Sequence, residues 1–181
     1  MEQIWSGLLA GATSGAVLAA ILGTVLARRT ERIKNEIEAQ FTRMEDTARS
    51  QRTWKERSVS ELLGPVCIQL DRTGRAFRRW QVKNLYLEVK VIREGDIAIR
   101  DLLLKSPHLI PPELHDDAGL LIQHYDRWLE EFERVRQPEQ PNLESPFVFV
   151  GPAGYPFPKE SEQRFHEMYR KYWTDLYRAT G

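Results

Sequence analysis

The chain has 181 residues, 26 basic against 26 acidic side chains, a formal net charge of zero and 41% hydrophobic residues. That length supports one modest domain beside any membrane segment, and the charge balance argues against a dedicated nucleic-acid binder while leaving room for a local basic patch. The single cysteine, Cys67, excludes an internal disulfide and any multi-cysteine metal site, and fits a reducing compartment as a small buried apolar residue.

Ile4 to Ala27 form one apolar run without a charge. As a helix it measures ~36 Å at ~1.5 Å per residue, more than the roughly 30 Å hydrocarbon core, which predicts a tilted transmembrane helix over 4–27. A cleaved signal peptide is the competing reading. Against it, Met1-Glu2-Gln3 carries no basic residue, the run is long for a signal core, and Arg28-Arg29 follow it like a stop-transfer signal. Arg28, Arg29, Arg32 and Lys34 lie just after the run. The positive-inside rule therefore puts residues 1–3 outside as a stub and the remainder in the cytosol.

Small residues recur in the run at every fourth position: Gly7, Gly11, Gly15, Ala19 and Gly23. Such a stripe lets a second helix backbone approach closely, and its drift around a helix of ~3.6 residues per turn suits right-handed crossing. This predicts a homo-oligomer held inside the bilayer, although glycine and alanine are also common in membrane helices of every kind. Ser6, Thr13, Ser14 and Thr24 either bond within the helices or line a pore. No ionisable residue in the run suggests a proton relay or an ion-selective ring.

Residues 28–58 read as a juxtamembrane helix spanning ~45 Å. Ile33, Ile37, Phe41, Met44 and Ala48 recur at intervals of three or four, which makes an apolar stripe too irregular for a regular coiled coil. Two readings stand: a self-associating stalk, or a bundle helix packed on its own domain. A cytosolic helical domain is expected over 59–181. Its first helix, 58–90, is interrupted at Gly64-Pro65, where proline either opens a new helix or kinks a long one. Gly95-Asp96 predicts a second break, followed by a helix over 96–105. Pro107, Pro111 and Pro112 predict a loop, with a helix from 112 to 136 whose acidic start and basic end suit the helix dipole. Six prolines between 137 and 158 exclude a long helix there, and Phe147-Val-Phe-Val150 reads as one short extended piece before a turn-rich loop. A last helix is predicted over 159–178. The fold class is thus all-α, with one Pro-rich extended segment.

The most suggestive charged feature is Arg72, Arg75, Arg78, Arg79 and Lys83 beside Phe77 and Trp80. At this spacing the basic groups share a helix face fit to hold RNA phosphates or anionic lipid heads. The plainer alternative is salt bridging to Glu130, Glu131 and Glu133, or simple solvation. His108, His115, His124 and His166 show no i, i+4 metal spacing. The chain has no GxSxG, no thiol with a partner base, and no phosphate loop at Gly151-Pro-Ala-Gly154. No residue is assigned to catalysis, a cofactor or a metal, and the chain reads as a non-enzyme without a cofactor.

Two stretches carry a family resemblance. One is Glu61-Leu-Leu-Gly-Pro65 followed by Arg75-Ala-Phe77. The other is His108-Leu-Ile-Pro-Pro-Glu-Leu114 through His124-Tyr-Asp-Arg-Trp128, with Phe147-Val-Phe-Val-Gly-Pro152 and Tyr155-Pro-Phe-Pro158 after it. Together they resemble an uncharacterised group of bacterial proteins with one N-terminal span and a cytosolic helical domain. In layout the chain is also similar to small membrane accessory proteins of bacterial antiviral systems, including those that assist RNA-targeting CRISPR nucleases, some of which form pores. The resemblance implies the bacterial inner membrane, with the domain in the cytosol. The expected function is a membrane-anchored homo-oligomeric scaffold or effector that contacts lipid and binds a cytosolic protein. The alternatives are an oligomeric pore acting in antiviral defence and a membrane-tethered RNA-binding accessory. Layout is a weak warrant for any of these.

Overall fold

The structure, a computed structural model, describes residues 3–79, 84–136 and 156–178, with side chains for 24, 26–79, 84–136 and 156–178. Among the described residues every regular element is helical and there is no strand, so the chain is all-α. It divides into two compact units, Met1–Ser50 and Gln51–Gly181.

The first unit is one helix. α1 runs Gln3–Arg57 and so contains the whole uncharged run, ending in the second unit. Among the described residues no helix is both long and apolar enough to cross a membrane; the side chains of 3–23, which hold most of that run, lie outside them. Thr30, Thr42 and Thr47 each turn their hydroxyl back onto the carbonyl four residues earlier. A polar side chain thereby satisfies itself within an exposed helix.

The second unit gathers the rest. After α1 the chain does not stop at Gly64-Pro65. It makes a π-helical turn, Ser58–Leu63, that joins directly to α2, Gly64–Arg79, and the Gly64 amide bonds to the Val59 carbonyl. Proline lacks the amide for the next bond and crowds the preceding turn, and a π turn accommodates both inside a continuing helix. A second π-helical segment, Tyr86–Arg93, leads into α3, Glu94–Lys105. Residues 84–93 are thus not the tail of a single helix from 58. The break predicted at Gly95-Asp96 is also absent, because Gly95 lies inside α3. Its role is close packing: a Cβ there would sit 2.3 Å from the Thr73 methyl on α2.

The proline loop contains two 3-10 turns, Pro107–Leu109 and Pro112–Leu114, before α4, His115–Arg136. α5 covers Lys159–Tyr177, close to the predicted bounds. The predicted extended piece at 147–150, with Trp80 and Lys83, lies outside the described residues.

The main core collects apolar side chains from the first π turn, α2, α3, the two 3-10 turns, α4 and α5, among them Leu62, Leu63, Leu70, Ile99, Leu121 and Phe165. The side chains of Trp54 and Ser58 donate to the carbonyls of His108 and Leu109 at 2.8 Å each, tying the proline loop to the end of α1 and the first π turn. On α5, Ser161 donates to the Asp117 carboxylate at 2.9 Å and binds α5 to α4. A smaller core forms where α2, the second π segment and α4 meet, from Ala76, Ile92, Trp128, Leu129 and Phe132. Trp128 and Phe132 stack there at 5.3 Å.

Arg136 closes that smaller core. Its side chain is 0% exposed and that of Glu88 is 1% exposed. Arg136 donates through Nε to Glu88 Oε1 at 2.5 Å and through Nη2 to Oε2 at 3.0 Å. Two charges withdrawn from water are tolerated only when paired with such forked geometry. Arg136→Met alone leaves Glu88 buried without its cation and is expected to cost about 3–5 kcal/mol, whereas Glu88→Leu with Arg136→Met costs much less. Chemical denaturation of the full-length variants, followed by tryptophan fluorescence, checks this; equal losses in the single and double variants would contradict it.

Asp96 is the other buried acid, 4% exposed on α3. Burial pushes its carboxyl well above the usual carboxylate range. The unfolded chain releases this proton at about pH 4, whereas the folded chain holds it to higher pH. The group's contribution to stability is therefore greatest at low pH, declines as pH rises above about 4, and levels off beyond the folded-state value. Asp96→Asn removes that decline and is expected to be more stable than the wild type at neutral pH by on the order of 1 kcal/mol. Thermal unfolding across pH reads both effects, and an unchanged pH profile would contradict the assignment.

Candidate anion-binding site

The basic face of α2 becomes a cleft because the second π segment packs beside it. Arg72, Arg75 and Arg79 fall three and four residues apart on α2 and line a cavity of ≈ 460 Å³ with Ile68, Asp71 and Ala76 of the same helix and Tyr86, Leu87 and Val91 opposite. The structure thus brings together three of the five predicted basic residues. Arg78 is exposed on α2 outside this lining.

The salt bridges weighed against an anion site go elsewhere. Glu130 pairs with Arg127 at 2.9 Å, and Glu131 pairs with Arg134, all within α4; Glu133 is exposed. Among the described residues Arg72, Arg75, Arg78 and Arg79 form no ion pair. Arg72 donates through Nη2 to the Lys90 carbonyl at 3.1 Å and through Nη1 to Gln69 Oε1 at 3.4 Å. These neutral acceptors hold the guanidinium across the cleft while leaving its charge uncompensated.

The one acid in the lining, Asp71, lies 3.6 Å from His166 Nε2 on α5. The C-terminal end of α2 adds roughly half a negative charge. Three guanidinium groups outweigh both, so the cleft is net positive.

A positive cleft with apolar walls selects a particular chemistry. Guanidinium groups bind phosphate or carboxylate through forked charge-assisted hydrogen bonds. Ile68 is 66% exposed and Tyr86 69% exposed, which leaves apolar surface for a base or other flat group beside the anion. His108 and His115 are exposed, His124 is buried edge-on between Tyr125 and Phe157, and among the described residues no metal cluster forms. Cys67 is buried, and its thiol is pushed up to about 12, first by that burial.

Sequence reasoning missed Tyr86, Leu87 and Val91 as cleft walls, as well as the Glu88–Arg136 pair. A signal for the pair was present: Glu88 interrupts the otherwise apolar Tyr86-Leu-Glu-Val89, and a lone acid in such a run is satisfied by a buried cation. Nothing comparable marks the cleft walls.

No protein-family model, curated protein or solved structure matches this chain.

With a fluorescent single-stranded RNA oligonucleotide as the polyanionic probe, binding is expected at low salt and to weaken steeply as salt rises. Arg75→Glu with Arg79→Glu is expected to reduce affinity roughly tenfold or more and to flatten the salt dependence. Fluorescence anisotropy reads both, and an unchanged affinity would remove the cleft as an anion site.

Proposed function

We propose that this chain is a membrane-anchored, homo-oligomeric scaffold or effector of the bacterial inner membrane, with its second unit in the cytosol. The observation that carries this reading is the continuity of α1. One helix contains the uncharged run 4–27, the basic residues that follow it, and a row of exposed apolar side chains at Leu26, Ile33, Ile37, Phe41 and Met44. The run is long enough to span, and Arg28, Arg29, Arg32 and Lys34 orient it with its N-terminal end outside. Gly7, Gly11, Gly15, Ala19 and Gly23 provide the close-approach face between copies.

In this reading the second unit is the binding module, and its cleft takes an anionic group presented in the cytosol. The cleft also favours a second reading, a membrane-tethered RNA-binding accessory, because Arg75 and Arg79 line it and form no ion pair among the described residues. The two readings share the anchor and differ in what the cleft holds. The activity proposed is binding and assembly.

Two measurements test the anchor and the face together. The full-length protein is expected to stay with membranes after alkaline carbonate washing. Gly11→Leu with Gly15→Leu is expected to stay there too but to lose the multimers trapped by amine cross-linking in the wild type. Release of the wild type by carbonate would contradict the anchor, and undiminished multimers in the glycine variant would contradict the face.

A further inference from the structure

One titratable cluster borders the cleft without belonging to its arginine row. Asp71 is the single acid in the cleft lining. Its ion-pair partner among the described residues is an imidazole: His166 Nε2 of α5 lies 3.6 Å from Asp71 Oδ1. None of the cleft arginines pairs with that carboxylate among the described residues. Its charge therefore opposes an incoming anion unless His166 holds a proton. Both side chains reach solvent, so protons exchange with bulk water. Packing fixes the imidazole in place. Phe165 and Tyr172 of α5 are buried in the main core, and the Tyr169 ring lies 3.5 Å from where a Gly64 Cβ would stand on α2.

The charged groups around His166 come from several elements. On α5, Glu162 lies one turn before it and Arg170 one turn after it, with Arg170 Nε donating to the His166 carbonyl at 3.3 Å. Burial pushes the Glu162 carboxyl above the usual carboxylate range, while His166, Arg78 of α2 and Lys159 draw it back. On α2 the Cys67 thiol, pushed up to about 12 by burial, stays neutral. Glu61 of the first π turn is paired with Arg57 at 2.9 Å. Asp117 of α4 is engaged by Ser161 and Arg164. Asp71 is thus the acid that joins the imidazole to the cleft.

We infer that Asp71 and His166 form a proton-controlled rim on the cleft, so that anion binding strengthens as pH falls through the neutral range. The inference rests on the anion-cleft reading above and adds its regulation. The sign follows from charge. Beside a neutral imidazole, Asp71 offsets one of the three guanidinium charges. A protonated imidazole cancels Asp71 at contact distance and leaves the arginines at full strength. Histidine is the side chain suited to this, since its charge changes between roughly pH 5 and 8. A unit charge about 8 Å from a bound anion, in a cleft open to water, changes affinity roughly two- to threefold. Linkage also runs in reverse: a bound anion makes the imidazole easier to protonate.

Fluorescence anisotropy of the detergent-solubilised full-length protein tests the rim at fixed salt. The probe is a fluorescent single-stranded RNA oligonucleotide, whose phosphodiesters keep their charge through this range. The wild type is expected to bind roughly two- to fivefold more tightly at about pH 6 than at about pH 8. His166→Gln is expected to remove that rise. His166→Lys, charged at both values, is expected to bind at about pH 8 as tightly as the wild type does at about pH 6. Asp71→Asn is expected to raise the affinity at about pH 8. A flat wild-type profile would overturn the inference. So would a rise that His166→Gln retains, because it would belong to Glu162 or to the exposed His108 and His115. Binding that is flat in pH yet lost in Arg75→Glu with Arg79→Glu would sink the rim and leave the cleft standing. No binding at either pH would sink both, so the two failures are distinguishable.

Discussion

The second unit depends on one ion pair withdrawn from water. Glu88 and Arg136 come from the second π segment and from the last residue of α4, and each would be strongly unfavourable alone in an apolar surround. Held together by a forked pair of hydrogen bonds, they fix the second π segment against the end of α4. That placement sets Tyr86, Leu87 and Val91 opposite the arginines of α2. Gly95 has the matching role seven residues further on, where only the absence of a side chain lets α3 approach Thr73. The anion cleft is therefore a consequence of how two helices are pinned beside a third.

The first unit solves its burial problem differently. A helix inside a bundle turns its apolar face onto neighbours, as Leu62, Leu63, Val66 and Leu70 do. The α1 row from Leu26 to Met44 has no such neighbours among the described residues and is exposed. Isolated apolar side chains on a surface need no explanation, but a periodic row of them along one helix face marks a contact surface. A second α1 offers the same row, and assembly of copies is the role proposed for this helix.

What was legible in the sequence follows from periodicity and punctuation. α5 matches its predicted bounds within a residue because Phe165, Tyr172 and Leu176 repeat on one face and Pro158 marks the start. α4 begins three residues after the predicted start at Pro112, since that proline opens a 3-10 turn first. Glycine was the misleading signal. Gly95 read as a break, yet it lies inside α3 and packs against Thr73, whereas at Gly64-Pro65 a π turn gives way to α2, in line with the proline opening or kinking a helix. Residue type shows that glycine permits a turn or a close approach, but not which of the two the tertiary contact requires. The basic face of α2 was legible from its spacing, while its opposite wall depended on a long-range pairing, Glu88 with Arg136, that no local pattern specifies.

The claim that holds this account together is that α1 brings copies of the chain together. Light scattering on the detergent-solubilised full-length protein, corrected for bound detergent, measures it directly. The account predicts a protein mass that is a whole multiple, two or more, of the 21.1 kDa chain. A mass of one chain at every concentration would contradict it and leave α1 as a solitary helix.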